Sequence, residues 1–203
     1  MSTASVAGAR PVLADSLVKH RTLLTDLSLI AAGVVVVGLL AQVTIPLPYV
    51  PITGQTLGVI LVGAALGSKR GAASLATYLV AGLAGAPIFA EFGGGPGMVL
   101  EPSFGFIIGF IPSAFVAGWM AERAWDRKFA LALLGFIAAS ALPFVVGVPY
   151  MAWVLNSIMG LGLDFAGIMN AGLIPFIPGG VVKAAIAAGL IPLAWKGVRA
   201  LEN

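Results

Sequence analysis

The lysines and arginines of this chain are not spread evenly along it. Ten of the eleven fall in the terminal stretches or in short polar connections, and between those connections run long apolar segments almost free of charge. Segments of that kind leave few options. A run of about 20 apolar residues matches a hydrocarbon layer about 30 Å thick. Backbone inside such a layer must satisfy its own N–H and C=O groups, which helices do. The pattern therefore predicts an all-α membrane protein. Composition agrees: 60% of the residues are hydrophobic and 9% are charged, whereas a water-soluble domain carries about 25% charge.

Taken in order, residues 1–22 are small, polar and basic and read as an N-terminal cytoplasmic tail, disordered or interfacial. Residues 23–203 read as a single six-helix transmembrane domain. The first span is Leu23 to Val43. Its length, and the lack of an A-x-A site after it, argue against a signal peptide. Ser28 and Ala32 form a small-xxx-small pair on this helix, which permits close approach of another helix. Thr44 to Gly54 holds three prolines and no charge and reads as a loop. Gln55 to Leu66 is a short second span, followed by a basic turn over Ser68 to Gly71. Ala72 to Ala90 is the third span, and Glu91 to Glu101 a glycine-rich acidic connection. Pro102 to Ala121 is the fourth, with Gly105 and Gly109 as a packing face. Glu122 to Lys128 is a charged turn. Phe129 to about Asn156 is the fifth, with Pro143 and Pro149 set to kink it. Ser157 to Gly172 has a weaker pattern. The last span runs from Pro178 to Trp195.

This count puts every ordinary base on one side. The opposite connections hold Glu91, Glu101 and Asp164 and no lysine or arginine. Positive charge marks the cytoplasmic side. Both termini are therefore expected in the cytoplasm of a cell whose membrane the chain crosses several times, with a prokaryotic inner membrane as the expected location.

Lys183 is the exception to the charge pattern. It is the sole charge between Val181 and Ala194, about 20 Å of helix from Lys196 at 1.5 Å per residue. An ionisable group at that depth is costly and usually faces a cavity or a partner. The alternative is a snorkelling lysine or a structural ion pair. Few other polar side chains share its depth: Gln55 opens the second span, Tyr78 lies within the third and Asn156 ends the fifth. Such a bundle suits one small, mostly apolar organic acid arriving from outside. It lacks the chain of ionisable groups of a proton relay and the polar ring of a channel.

Other classes are disfavoured. Cysteine is absent and the one histidine, His20, lies in the N-terminal stretch, so a zinc site or a Ser-His-Asp triad within the membrane is not expected. Paired carboxylates at depth are missing as well, so no catalytic residue, metal or cofactor is assigned. No phosphate-binding loop occurs; if ATP is used, another subunit binds it. No basic patch interleaved with aromatics suggests nucleic acid. A purely structural bundle subunit is a further reading, in which Lys183 could be replaced by leucine without loss of binding.

Val50-Pro51-Ile52-Thr53-Gly54-Gln55-Thr56-Leu57-Gly58-Val59 resembles the segment leading into the second helix of the BioY family, biotin-binding S components of energy-coupling factor transporters. The resemblance continues through Gly63 to Gly71, Tyr78, Gly85 to Ala90, Gly105 to Phe110, Gly118 to Arg123 and Pro178 to Lys183. It covers roughly Leu27 to Lys196. It implies a six-helix S-component fold, and biotin uptake together with a membrane-embedded T protein and two ATPase subunits. It also implies Lys183 among the ligand contacts; Gln55, Tyr78 and Asn156 from their depth, Glu91 as an acceptor, and Gly180 and Phe106 as positions that depart from the family are the further candidates. Ser28 and Ala32 fall where such proteins present small residues to the coupling protein. There are departures. The family usually has Asp where this chain has Gly180, and Glu91, Glu101 or Asp164 could supply an acceptor instead. A Gly-Pro-Thr-Gly-Gly-Tyr segment stands here as Glu101-Pro102-Ser103-Phe104-Gly105-Phe106, without the tyrosine hydroxyl at Phe106. An S component for another small anionic vitamin is the alternative.

Overall fold

Gly67 reverses the chain between two helices in a single residue. The computed structural model, which describes residues 10–18 and 22–202, holds it at φ 87°, a left-handed conformation that only glycine adopts freely. Gly118 lies against it. A Cβ at Gly118 would stand 2.3 Å from the Gly67 carbonyl carbon, so the two backbones touch directly.

The elements in order are α1 (Leu13–Leu17), α2 (Leu23–Ala41), β1 (Thr44–Ile45), β2 (Ile52–Thr53), α3 (Gln55–Leu66), α4 (Ser68–Leu83), α5 (Phe104–Ala121), α6 (Phe129–Trp153), α7 (Phe165–Gly172) and α8 (Phe176–Glu202). Helix α5 is central and packs on α3, α4 and α6, while α8 closes against α3 and α6. The expected Gly105/Gly109 face of α5 does press on α6, at Tyr150 and Pro143. β1 and β2 form a two-stranded antiparallel hairpin, pairing Thr44 with Thr53 and Ile45 with Ile52. Four stretches are long and apolar enough to cross a membrane: Leu23–Ala41, Phe104–Ala121, Phe129–Ile158 and Phe165–Ala200. The chain is a multi-pass helical membrane protein.

The sequence boundaries need three corrections. The expected basic turn at Ser68 to Gly71 is the first turn of α4, because Gly67 alone completes the reversal. The third helix stops at Leu83 rather than Ala90, where Gly85 takes φ 106° and Pro87 follows. Helix α3 keeps the short extent read from the sequence, Gln55–Leu66, and α4 has 16 residues. The stretch expected as an open tail is, in its described part, packed. Val12, Leu13 and Ala14 are buried, the Arg10 N–H donates to the Glu122 carbonyl at 2.8 Å, and Asp15 pairs with Arg70 at 2.5 Å. His20 lies outside the described residues.

Proline in α6 is accommodated locally. Pro143 has no N–H for the Ala139 carbonyl four residues earlier. The Ser113 hydroxyl on α5 donates to that carbonyl instead, at 2.8 Å. The helix continues to Trp153, and one wide turn over Val154–Ile158 follows.

Candidate ligand-binding site

Lys183 projects from α8, which Pro175 and Pro178 start near its first turn. The side chain is half-buried. Its ammonium donates to the Thr53 carbonyl at 2.5 Å and to the Thr56 hydroxyl at 3.2 Å. An ammonium has three protons to donate, and these two bonds leave one. Beside it opens a cavity of about 740 Å³, a volume that includes the open space at its mouth.

One wall of the cavity is polar. It carries Lys183, Thr53, Gln55 and Thr56, with Gly180 one helical turn before the lysine. A Cβ at Gly180 would meet no atom within 4 Å, so the space in front of the lysine is open. The other walls are apolar. Phe106, Phe144 and Phe176 form a ring triangle with centroid separations of 5.6, 5.9 and 6.3 Å. Phe89, Met98, Ile107 and Phe110 extend this surface, and Ser103 and Ser140 add hydroxyls. Among the described residues, the lining holds one cation and no carboxylate.

Behind the polar wall runs a chain of hydrogen bonds. Thr53 donates its hydroxyl proton to Gln55 Oε1 at 2.8 Å. Gln55 Nε2 donates to the Tyr78 hydroxyl at 2.8 Å, and that hydroxyl donates to the Ile88 carbonyl at 2.9 Å. Tyr78 is wholly buried. Phe89, next to Ile88, meets the Tyr78 ring edge-on at 5.2 Å between centroids and fills the space over Gly82, where a Cβ would clash at 2.1 Å. The chain thus fixes the hairpin, the start of α3 and the 88–92 segment relative to one another.

Of the residues singled out from sequence, Lys183, Gln55, Phe106 and Gly180 line the cavity, and Tyr78 stands directly behind it. Glu91 and Asn156 do not line it. Glu91 is exposed, in a left-handed turn at φ 56°. Asn156 is committed to backbone: its amide donates to the Leu163 carbonyl at 2.9 Å and its carbonyl accepts from the Leu163 N–H at 2.7 Å, which closes the loop after α6. The acidic residues considered as replacements for the family Asp at Gly180 are elsewhere too. Glu101 and Asp164 are exposed, and Asp164 caps α7 by accepting from the Gly167 N–H at 2.8 Å. None of the three lines the cavity. Thr53, Thr56 and Ser140 were missed in the sequence. Their only signal was position, one residue either side of Gly54-Gln55 and one turn before Pro143.

Ser28 and Ala32 lie apart from this cavity, both exposed on α2.

A family model described as the BioY family matches residues 11–200. The chain belongs to the BioY family. The biotin transporter BioY of Rhodobacter capsulatus is 40% identical over 82% of this chain and 89% of that protein. The one from Thermotoga maritima is 37% identical over 83% and 95%, and the one from Rhizobium etli 33% over 79% and 86%. The fold matches a solved S-component for biotin from an ECF-type ABC transporter, with a TM-score of 0.65 over 87% of this chain and 95% of that one, at 22% identity. The BioY match includes the hairpin, α3 and α8, so the polar wall lies inside the shared region.

Proposed function

We propose that this protein is the biotin-binding S component of an energy-coupling factor transporter and takes up biotin across a prokaryotic inner membrane. The observation that carries this is the free proton of the Lys183 ammonium, which faces an otherwise largely apolar cavity. Biotin matches that layout. It has an apolar thioether ring and aliphatic chain for the phenylalanine walls, and ureido and carboxylate oxygens for the lysine. The relatives named as biotin transporters support the same reading.

In this reading Lys183, Gln55, Phe106 and the open floor at Gly180 meet the ligand. Tyr78 positions Gln55, and Glu91 and Asn156 shape the loops around the mouth. The chain binds and releases its ligand chemically unchanged. Six crossings are made by α2, α3, α4, α5, α6 and α8. Helix α3, about 18 Å long at 1.5 Å per residue, reaches full depth together with the hairpin. Non-helical backbone is tolerated at such depth where it lines a cavity. Arg70, Arg123, Lys128 and Arg199 lie at the end that carries α1 and the C-terminal end of α8, which supports a cytoplasmic location for both termini. Energy comes from a T protein and two ATPase subunits, which engage α2 at Ser28 and Ala32.

The test is uptake. Cells lacking their own biotin transporter should accumulate labelled biotin when they express this chain with those three partners. Uptake no greater than in cells carrying an empty vector would reject the proposal. A second reading, another small anionic vitamin, is favoured by the lack of a carboxylate in the lining. Competition of unlabelled vitamins against labelled biotin separates the two.

A further inference from the structure

Ser140 is a polar group placed on the apolar side of the cavity. It sits on α6, three residues before Pro143, and lines the cavity beside Phe144 and Phe106. Its hydroxyl donates back along the helix to the Phe136 carbonyl at 2.7 Å. With the proton spent there, the oxygen offers the cavity only lone pairs.

Among the other polar groups of the lining, Thr53 has also spent its hydroxyl proton, on Gln55 Oε1 at 2.8 Å, and its oxygen accepts from the Gln55 N–H at 3.3 Å. Lys183 is a donor without acceptor capacity. Gln55 Oε1 accepts from Thr53 at 2.8 Å and the Thr56 hydroxyl accepts from Lys183 at 3.2 Å, which leaves each one lone pair where the Ser140 oxygen keeps both. Ser103 stands at the start of α5, where the helix dipole favours ligand oxygens over ligand N–H groups. No carboxylate lines the space. A cyclic urea presents one carbonyl flanked by two N–H groups. Its oxygen suits Lys183, and its N–H groups need acceptors once water is excluded, because an unpaired buried donor weakens binding.

We propose that Ser140 contacts the ligand directly and accepts a hydrogen bond from a ring N–H, so that it selects ligands bearing a urea-type donor; this rests on the biotin reading above. Serines in membrane helices also bond back to the preceding turn for purely local reasons. The experiment therefore has to separate contact from scaffold.

A two-by-two binding comparison does so in purified, detergent-solubilised protein. It pairs wild type and Ser140→Ala with biotin and with a cyclic carbamate analogue in which oxygen replaces one ring N–H, each position made in turn. Ser140→Ala is expected to weaken biotin about tenfold, the usual effect of stranding one buried donor. For one of the two carbamates the same substitution is expected to change affinity by less than about twofold, because the bond is already gone. The proposal is overturned if Ser140→Ala binds biotin as wild type does. It is equally overturned if the variant loses biotin and both carbamates by one common factor. Both results leave the biotin reading standing. That reading fails, and this inference with it, if the wild-type protein binds no biotin.

Discussion

The Lys183 ammonium and the Thr53 carbonyl, 130 residues apart in the chain, meet at 2.5 Å. This bond ties the last long helix to the hairpin that roofs the cavity. A ligand oxygen that draws on the lysine is therefore felt by the hairpin. Replacing the lysine by methionine keeps most of its volume and removes the tie. Amides of residues 43–54, among them the Gly54 N–H that bonds the Val43 carbonyl at 2.9 Å, should then exchange about ten- to a hundredfold faster, in line with the loss of a charged hydrogen bond. Hydrogen-exchange mass spectrometry reads this directly. Unchanged exchange in that segment would show that the hairpin holds itself.

Tyr78→Phe removes one oxygen from the middle of the buried chain. Gln55 Nε2 loses its acceptor and the Ile88 carbonyl its donor. Stranding such groups costs about 1–3 kcal/mol. Thermal unfolding in detergent should fall accordingly, and ligand affinity should fall less than in a Lys183 variant, since Tyr78 only positions Gln55. An affinity loss equal to that of Lys183→Ala would instead make Tyr78 a direct contact.

Much of this was legible in the sequence. Lys183 stood out because nothing else charged shares its run, and it does line the cavity. Gln55 and Tyr78 were visible as polar residues in apolar helices. The short extent of α3 was legible, but the ends of α4 were not, because hydropathy cannot see that Gly67 turns the chain in one residue or that Gly85 ends a helix early. Nor was the packing of Val12 to Ala14, three small apolar residues in a polar stretch whose burial depends on Arg70 and Glu122 far along the chain. Asn156 misled for a related reason: depth in the sequence pattern suggested a ligand contact, yet both ends of its amide are used by Leu163.

Gly118→Val tests the glycine contact at the centre of the fold. The first added carbon would already lie 2.3 Å from backbone of Gly67 and Ser68, and backbone cannot rotate aside as a side chain does. Overpacking of this kind costs about 1–3 kcal/mol or more. The variant should unfold at a lower temperature or fail to accumulate in the membrane. The milder Gly189→Ala, where nothing lies within 4 Å of the new carbon, should behave as wild type.

Asp126, in the turn between α5 and α6, introduces a pH dependence. It is buried, accepts from Trp195 Nε1 at 2.6 Å, and its second oxygen has no partner among the described residues. Burial raises its carboxyl above the ordinary range, against the opposing pull of the Trp195 bond and the Arg127 charge. The folded protein therefore holds this proton more tightly than the unfolded chain. Its contribution to stability must fall as pH rises from the ordinary carboxylate value, about 3.9, towards the raised one, and level off above it. Asp126→Asn keeps an oxygen for Trp195 and removes the titration. Melting temperatures from about pH 4 upward should therefore decline more for wild type than for the variant across that window. Parallel curves would assign the proton elsewhere.

Equilibrium dialysis of purified protein against labelled biotin, wild type beside Lys183→Ala, addresses the buried ammonium most directly. Wild type should saturate at one site, and the alanine variant should bind at least about tenfold more weakly, the loss expected for one charged hydrogen bond to a ligand oxygen. A folded alanine variant that binds biotin as tightly as wild type would contradict the role assigned to Lys183.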